Sequence, residues 1–589
     1  MRPGYLLLVH EEGAGPEPRL GRIAAGAGLL QAFSAPGITA FTADGRGCVA
    51  LGDHGCVLGT LFDRRGARGR VEALSTAAVE SIVGSSGEEL LSRFWGGYVA
   101  VLRTGDSVRV LRDPSAALPC YGVKGHGFVA LASDAGLLLE LGPGDAAIDW
   151  NAIAAQFYRA GVPAAATGLA GIRELLAGFA LDLPAGLECQ QPFWSPWDHA
   201  GPGAARPDRL EEGLARTVAD CVRSWACVHG RLLVSVSGGL DSSIVAAALA
   251  GCGADAVGLT LYGEDPSGDE RPFARALCDH LGLPLVERPY SMEHIDILEP
   301  LGAHLPRPSD RTHAQSYERA HLDVASELGA AAFVTGNGGD SLFGYSQSAG
   351  AAADRLLAQG ISSAWLRSVR DVSRQTGCGV LRAAGSAIRI ARSPHSYKVR
   401  PDTMFLHPDA VASLAADPIG HPWLDAPAGA LPGKAAHIAS ILRIQLCLEP
   451  GRARQLPVVN PLVSQPVMEF CLRVPSWEWR SGGVDRSLAR RAFRGVLPDV
   501  LLRRRVKGGP DGFAASILDR FRRPISERLL CGSLVREGIV DGASLEAVLG
   551  DTGPRPGEER ARILEFLAAE AWIDSWRSRA RPGGPARSA

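Results

Sequence analysis

The sequence predicts two units in succession, an α+β unit built as a β-sheet sandwich and an α/β unit on a parallel sheet that ends in a helical part. Three observations predict this. The chain has 589 residues, more than one ordinary hydrophobic core organises. Its first third consists of short apolar segments separated by turn residues, and further on short β-branched segments alternate with helical runs.

In the N-terminal part, roughly the first 190 residues, Cys48 to Leu51, Tyr98 to Leu102, Val108 to Leu111 and Phe128 to Ala132 read as strands between Gly, Asp and Pro turns. QQPFWSPWDHAGPGAARP, Gln190 to Pro207, concentrates Pro and Gly without periodicity and reads as a linker, which places the boundary between 1–204 and 205–578. A helix is expected over Leu210 to Trp225, and strands over Leu232 to Val236, Ala256 to Leu261 and Ala332 to Thr335. Beyond Gly350 the pattern is mainly helical, and the Arg-, Pro- and Gly-rich residues 579–589 read as a frayed tail.

Composition narrows the function classes. Hydrophobic residues make up 46% and charged residues 21%, which fits a globular protein with sizeable cores. The formal net charge of -2 gives no reason to expect a nucleic-acid partner, since phosphate neutralisation needs a concentrated basic face. No apolar run is long enough for a membrane span, and MRPGYLLLVHEEG is too short in its apolar part for a signal peptide, so a cytoplasmic location is expected. The twelve cysteines, from Cys48 to Cys531, form no CxxC pair and read as reduced, mostly buried residues rather than a zinc or dithiol site.

The segment RLLVSVSGGLDSSIVAAALAG carries the most chemistry. A strand over Leu232 to Val236 runs into Ser237, Gly238, Gly239, Leu240, Asp241, Ser242 and Ser243, and then into an Ala-rich helix. Two glycines let backbone approach an anion, the hydroxyls add donors, and the helix amides present a positive end to phosphate. Asp241 fits such a site only if a divalent cation bridges carboxylate and phosphate, so the combination points to ATP with magnesium. The plainer alternative is a tight turn with Asp241 as a helix cap. A second loop, AAFVTGNGGDSLFGY, repeats the logic: a strand to Thr335, then Gly336, Asn337, Gly338, Gly339 and Asp340, or a glycine turn with an Asx bond. Both aspartates then serve one metal.

The first loop resembles the signature of the ATP pyrophosphatases, which cleave ATP between its α and β phosphates. The second resembles the loop of asparagine synthetases, with two departures. Asn337 stands where those enzymes carry glutamate and β-lactam synthetases tyrosine, and Ser341 replaces a second acid. Asn337 has no protonation equilibrium near neutral pH, so either it only positions the amine or another group is the base. PVVNPLVSQPVMEFCLRVP and RRAFRGVLPDVLLRRRVKGGPDGF extend the resemblance, in which Lys507 matches the lysine that contacts phosphate and the acyl-adenylate transition state. Arg503, Arg504 and Arg505 beside it leave a solvated basic face as the alternative.

The first unit is similar to the glutaminase-type domain of the same family through Arg112, Asp113, Pro119 and Tyr121. Its nucleophile is an N-terminal cysteine using its own α-amine as base, and a chain that begins Met-Arg does not offer one. An amine already present in the substrate is therefore expected, as in β-lactam synthetases and lasso peptide cyclases. The wording of WGGYVAVL, RDPSAALPCY and HPWLDAPAGALPGKAAHI is closest to the lasso peptide cyclases. The resemblance implies ATP and Mg2+ as cofactors. It implies an amide ligase that adenylates a side-chain carboxylate of a precursor peptide and closes a macrolactam on its N-terminal amine, with a leader peptidase and a leader-recognition protein as partners. The site residues it implies are Ser235, Ser237, Gly238, Gly239, Asp241, Ser242, Thr260, Thr335 and Gly336 for nucleotide, Asp241 and Asp340 for metal, and Lys507, Asn337 and Asp340 for catalysis. Asparagine synthesis from ammonia, or a β-lactam-forming ligase, is the alternative.

Overall fold

The computed structural model describes the chain apart from residues 1–3, 11–17, 44, 46, 67–68, 106, 142–146, 184–185, 264–267, 309–311, 394–396, 449–454, 506–510, 552, 554–555 and 580–589. Lys507 and the expected tail, save Arg579, lie outside the described residues.

Tyr5–His10, Ile38–Thr42, Gly55–Asp63 and Phe94–Thr104 are apolar at nearly every position rather than at alternate ones, and nearly every residue in them is shielded from water. Strands of that composition need cover on both faces. They belong to two six-stranded antiparallel sheets. Leu7, Ile38, Leu58, Val99, Val110 and Leu131 belong to the core between them. Helices Pro18–Gly26, Ala135–Leu141 and Trp150–Tyr158 cover Leu6, Leu8 and Ala130 on one outer face. Helices Thr76–Gly84 and Glu88–Ser92 cover Val57, Leu61 and Leu102 on the other. The helical layers are what the sandwich reading lacked.

Gln190–Pro192 and Trp197–Ala200, inside the segment read as a linker, form a strand and a short helix. Trp194 and Trp197 are buried, and the Trp197 indole N–H donates to the Trp423 carbonyl at 2.9 Å. Burial of two indoles outweighs the Pro and Gly content, so this stretch is packed rather than a free tether.

In the second unit the order of the parallel sheet is Leu285–Pro289, Ala256–Tyr262, Leu232–Ser235, Ala332–Val334 and Val458–Val459. The carboxyl ends of the central strand, Leu232–Ser235, and its neighbour Ala332–Val334 face one crevice, where open α/β sheets bind ligands. The strands at 285–289 and 458–459 were not legible in the sequence; one carries Glu and Arg and the other is two residues long. Helices dominate beyond Gly350, ending in Gly557–Arg579.

The two units share one continuous core. Across their boundary Trp225 packs edge-on against Phe62 and Trp95, and Arg64 holds Glu469 through two bonds of 2.8 and 3.0 Å. Among the described residues no helix is long and apolar enough to cross a membrane. None of the twelve cysteines, all among the described residues, forms a disulfide.

Candidate active site

Ser235 ends the central strand, and the chain then turns through Gly238, in the left-handed region at φ 61°, into helix Leu240–Gly251. Only glycine fits here: a Cβ on Gly238 would stand 2.5 Å from Phe273 Cβ and 2.8 Å from an Arg504 nitrogen. The helix start has no side-chain cap, so its first amides remain available to a ligand. The loop braces itself through hydroxyls. Ser237 N–H donates to Ser242 Oγ at 3.3 Å, the two Oγ atoms stand 3.2 Å apart, and Ser243 Oγ donates to the Gly239 carbonyl at 2.7 Å.

The second loop lies directly against the first. A Cβ on Gly336 would meet the Ser242 amide nitrogen at 2.5 Å, and one on Gly339 would meet Asp241 Cγ at 2.3 Å. These glycines are therefore required by the approach of the two loops, which brings Asp241 and Asp340 together. Thr335 Oγ1 donates to Asn460 Oδ1 at 2.6 Å and accepts from the Asn337 amide at 3.1 Å, which fixes the loop's start to the edge strand. Behind its short helix, Gly339–Leu342, the buried His437 ring holds the Leu342 carbonyl at 3.0 Å from Nε2. Burial, and then the neighbouring Lys434, pushes the His437 pKa down to about 3, so the ring is neutral.

The loops open on a cavity of about 860 Å³. Ser235, Ser237, Gly239, Asp241, Ser242, Thr260, Thr335, Gly336, Asn337 and Asp340 all line it. Gly238 stands just behind the lining, against Phe273 and Arg504. Ser235 Oγ lies 3.0 Å from His321 Nε2, whose Nδ1 faces the Tyr317 carbonyl at 2.7 Å. A carbonyl only accepts, so Nδ1 carries a proton and donates to it.

Sequence reasoning missed the residue at the centre. Arg486 places one nitrogen, Nη1, 3.1 Å from Asp241 Oδ2 and 2.5 Å from Asp340 Oδ1. Its backbone is left-handed at φ 48°, and Asp485 Oδ1 holds its Nε at 3.1 Å and Arg490 Nη2 at 3.0 Å. Burial alone would weaken the Arg486 proton, but Asp241, Asp340 and Asp485 more than compensate, and its pKa is raised. The only sequence signal was Asp-Arg after a glycine turn in GGVDRSLARR. Arg504, from the basic stretch, pairs with Glu270 at 2.7 Å, lies 4.0 Å over the Phe273 ring and reaches the Ser237 carbonyl at 3.4 Å. It is a built part of the wall rather than a solvated charge.

Two carboxylates that share one nitrogen are spaced to share one cation. Among the described residues no group of three or more His, Cys, Asp or Glu side chains could hold a metal. That donor set fits magnesium, which takes one or two carboxylates and completes its shell with water and phosphate oxygens. Asp241 and Asp340 would hold it, provided that the Arg486 guanidinium, which now bridges them, moves aside.

In the first unit, Arg112 and Asp113 are structural. Buried Arg112 donates to Glu174 and to the Leu118 and Leu175 carbonyls, each at 2.8 Å, and Asp113 accepts from the Tyr98 and Ser115 amides at 3.1 and 2.7 Å. Glu174 also accepts from Arg307 of the second unit. The Pro119 carbonyl accepts from the Tyr5 hydroxyl at 2.9 Å, and Tyr121 is buried.

The asparagine synthase family model matches residues 209–574. Similar curated proteins include the tRNA-specific 2-thiouridylases MnmA of Stenotrophomonas maltophilia strain K279a, 33% identical over 120 residues, and of Xanthomonas axonopodis pv. citri strain 306, 35% identical over 120 residues. Each alignment covers 18% of this chain and 32% of the relative, so the chain spans about a third of the length of these relatives. Among solved structures, the glutamine phosphoribosylpyrophosphate amidotransferase of B. subtilis, complexed with ADP and GMP, is 10% identical. That match covers 56% of this chain and 90% of the other at a TM-score of 0.20, too low to carry an argument.

Proposed function

Because the chain belongs to the asparagine synthase family, an ATP-dependent amide ligase in general, we propose that it is a macrolactam synthetase of the lasso peptide cyclase kind, acting on a precursor peptide and forming AMP and pyrophosphate. The observation that carries the reading is the convergence of Asp241 and Asp340 on one nitrogen at the floor of a cavity lined by both glycine loops. A bound magnesium would neutralise triphosphate charge there. The amides at the start of helix Leu240–Gly251 and the hydroxyls of Ser237 and Ser242 hold the phosphates, while Thr260 belongs to the nucleotide wall.

A side-chain carboxylate oxygen of the peptide attacks the α-phosphorus, the bond to the β-phosphate bridging oxygen breaks, and pyrophosphate leaves. The peptide's N-terminal amine then attacks the acyl carbon, AMP departs with the carboxylate oxygen, and the amine's extra proton goes to a base. Asn337 orients the amine and does not take the proton. Holding acyl group and amine in one cavity makes closure effectively unimolecular, worth up to about 7 kcal/mol or more. Lys507 is assigned to the α-phosphate by resemblance, and Asp340 joins it as the second carboxylate of the site.

The test is incubation with ATP, magnesium and a candidate precursor peptide whose leader has been removed by a leader peptidase, with or without the leader-recognition protein. Loss of one water from the peptide, with equal amounts of AMP and pyrophosphate, is expected. Asparagine formed from aspartate and ammonium would favour the simple synthetase instead, and closure of a small carboxyethyl amino acid would favour the β-lactam-forming one.

A further inference from the structure

Residues 361–393 hold six arginines and one acid, Asp371, in a chain whose net charge is -2. They form two helices, Ser363–Thr376 and Val380–Arg392, which pack with Gly350–Gln359 around Trp365, Val369, Val372, Ala383 and Ala387. The module's apolar faces are thus already turned inward. Arg367, Arg370 and Arg374 on one helix and Arg382, Arg389 and Arg392 on the other are all exposed, Arg374 with its stem against Gly483. None of the six makes an ion pair within 4 Å among the described residues; Asp371 accepts from the Gly482 and Gly483 backbone and, of the six, is also drawn to Arg374. Among the arginines stand Leu381, Leu366 and Ile361, exposed by 88%, 45% and 79%.

We propose that this face docks an acidic segment of the peptide substrate, one with apolar side chains, that lies outside the cavity where the bond is made. The inference rests on the peptide-ligase reading and adds a specificity surface to it. Exposed guanidinium groups in this number, against a single nearby acid, select carboxylates, and exposed leucine and isoleucine offer anchors that a purely ionic partner leaves unused. A phosphate backbone would leave all three unfilled. A membrane surface needs a helix with a free apolar face, and here those faces are inside the module.

The position suits a substrate that runs out of the cavity. Tyr345 lines the cavity, residues 346–349 lead straight into the module, and Gln375 Nε2 donates to the Ser346 carbonyl at 3.2 Å. On its other side the module contacts Gly483, two residues before Asp485 and three before Arg486: a Cβ built on Gly483 would stand 2.7 Å from Arg374 Cβ. A chain leaving the cavity at this rim therefore meets the module first at its Gln375 and Arg374 end.

The test uses the full chain without nucleotide and fluorescein-labelled synthetic peptides of about twenty residues, one rich in Glu and Leu and one rich in Lys and Leu. A single-stranded oligonucleotide and vesicles of anionic phospholipid are the other probes. The Glu-Leu peptide is expected to bind, to weaken about tenfold when salt is raised from low to near molar, and to lose at least about tenfold in R382E/R389E/R392E. L381S/I361S is expected to weaken it several-fold, while both variants keep their AMP-forming activity on a peptide short enough to be held by the cavity alone. Overturning results are binding untouched by the triple variant, binding lowered by the arginine changes but indifferent to L381S/I361S, or preference for the oligonucleotide or the vesicles. Failure of the ligase reading shows differently, as absence of AMP formation with the docking intact.

Discussion

Replacing Arg486 by methionine keeps its bulk and removes the cation between Asp241 and Asp340. Asp241 and Arg486 side chains are 12% and 14% exposed, so that pair is largely desolvated, whereas Asp340 is 54% exposed. A charge pair about 4 Å apart interacts by about 4 kcal/mol at an effective dielectric near 20, and an exposed pair is worth about 1 kcal/mol or less. Water entering the gap returns part of this, which leaves a local destabilisation of about 2 kcal/mol or more, most of it the repulsion of two stranded carboxylates. Hydrogen exchange of the amides in helix Leu240–Gly251 and in residues 336–342, followed by mass spectrometry, reads this directly. Without magnesium, R486M is expected to exchange about 30-fold faster or more in these segments, with the rest of the protein unchanged. Adding D340N removes one of the two like charges and restores much of the protection. Unchanged exchange in R486M, or a double variant as labile as the single one, would refute the view that Arg486 serves as internal counter-ion to the metal pair.

Three further predictions concern the contact of the two loops, the side chains assigned to the chemistry, and a buried ring elsewhere in the fold. Gly339→Ala drives a methyl group into Asp241, so ATP-dependent pyrophosphate release is expected to fall by about 10²-fold or more with little change in circular dichroism; near-parent activity would mean that the two loops need not touch. Asp241→Asn is expected to abolish pyrophosphate release and Lys507→Ala to slow it about 10²-fold; parent rates from either would remove that residue from the proposed chemistry. His421, buried near Arg159 and with its Nδ1 accepting from the Trp423 amide at 3.1 Å, has its pKa pushed by burial to about 3 from the ordinary 6.5. The unfolded chain then binds the extra proton first, so this ring's contribution is complete above pH 6.5 and is lost as pH falls toward 3. Asp113 and Asp354, both raised to about 6 by burial, slope the other way, so the comparison must be between variants. His421→Asn keeps a side-chain acceptor and is expected to lose less stability than the parent between pH 6.5 and about 5 by urea titration; equal slopes would mean that the ring is not neutral in the fold.

Much of the site was legible because its loops are contiguous. Ser237 to Ser243 and Gly336 to Asp340 each carry their glycines, hydroxyls and carboxylate within a few residues of a strand end, and the structure brings the two loops into contact. Arg486 was not legible, since its role exists only where a turn more than a hundred residues beyond Asp340 meets both aspartates. The edge strand Val458–Val459 is too short to show a period, yet it supports the second loop through Asn460. The stretch from Gln190 to Pro207 misled for a different reason: its Pro and Gly residues are local signals, while the burial of Trp194 and Trp197 depends on Trp423. In the first unit, strands apolar at nearly every position marked sheets covered on both sides, a pattern that implies the outer helices although the alternation rule does not reveal them.

The most direct test is a crystal structure with manganese and an α,β-methylene analogue of ATP, located by anomalous scattering. One ion within ligand distance, about 2.2 Å, of both Asp241 and Asp340 is expected, with the triphosphate over the amides of residues 237–242 and the Arg486 guanidinium displaced. An ion elsewhere, or phosphates that never approach those amides while Arg486 still bridges the aspartates, would contradict the account.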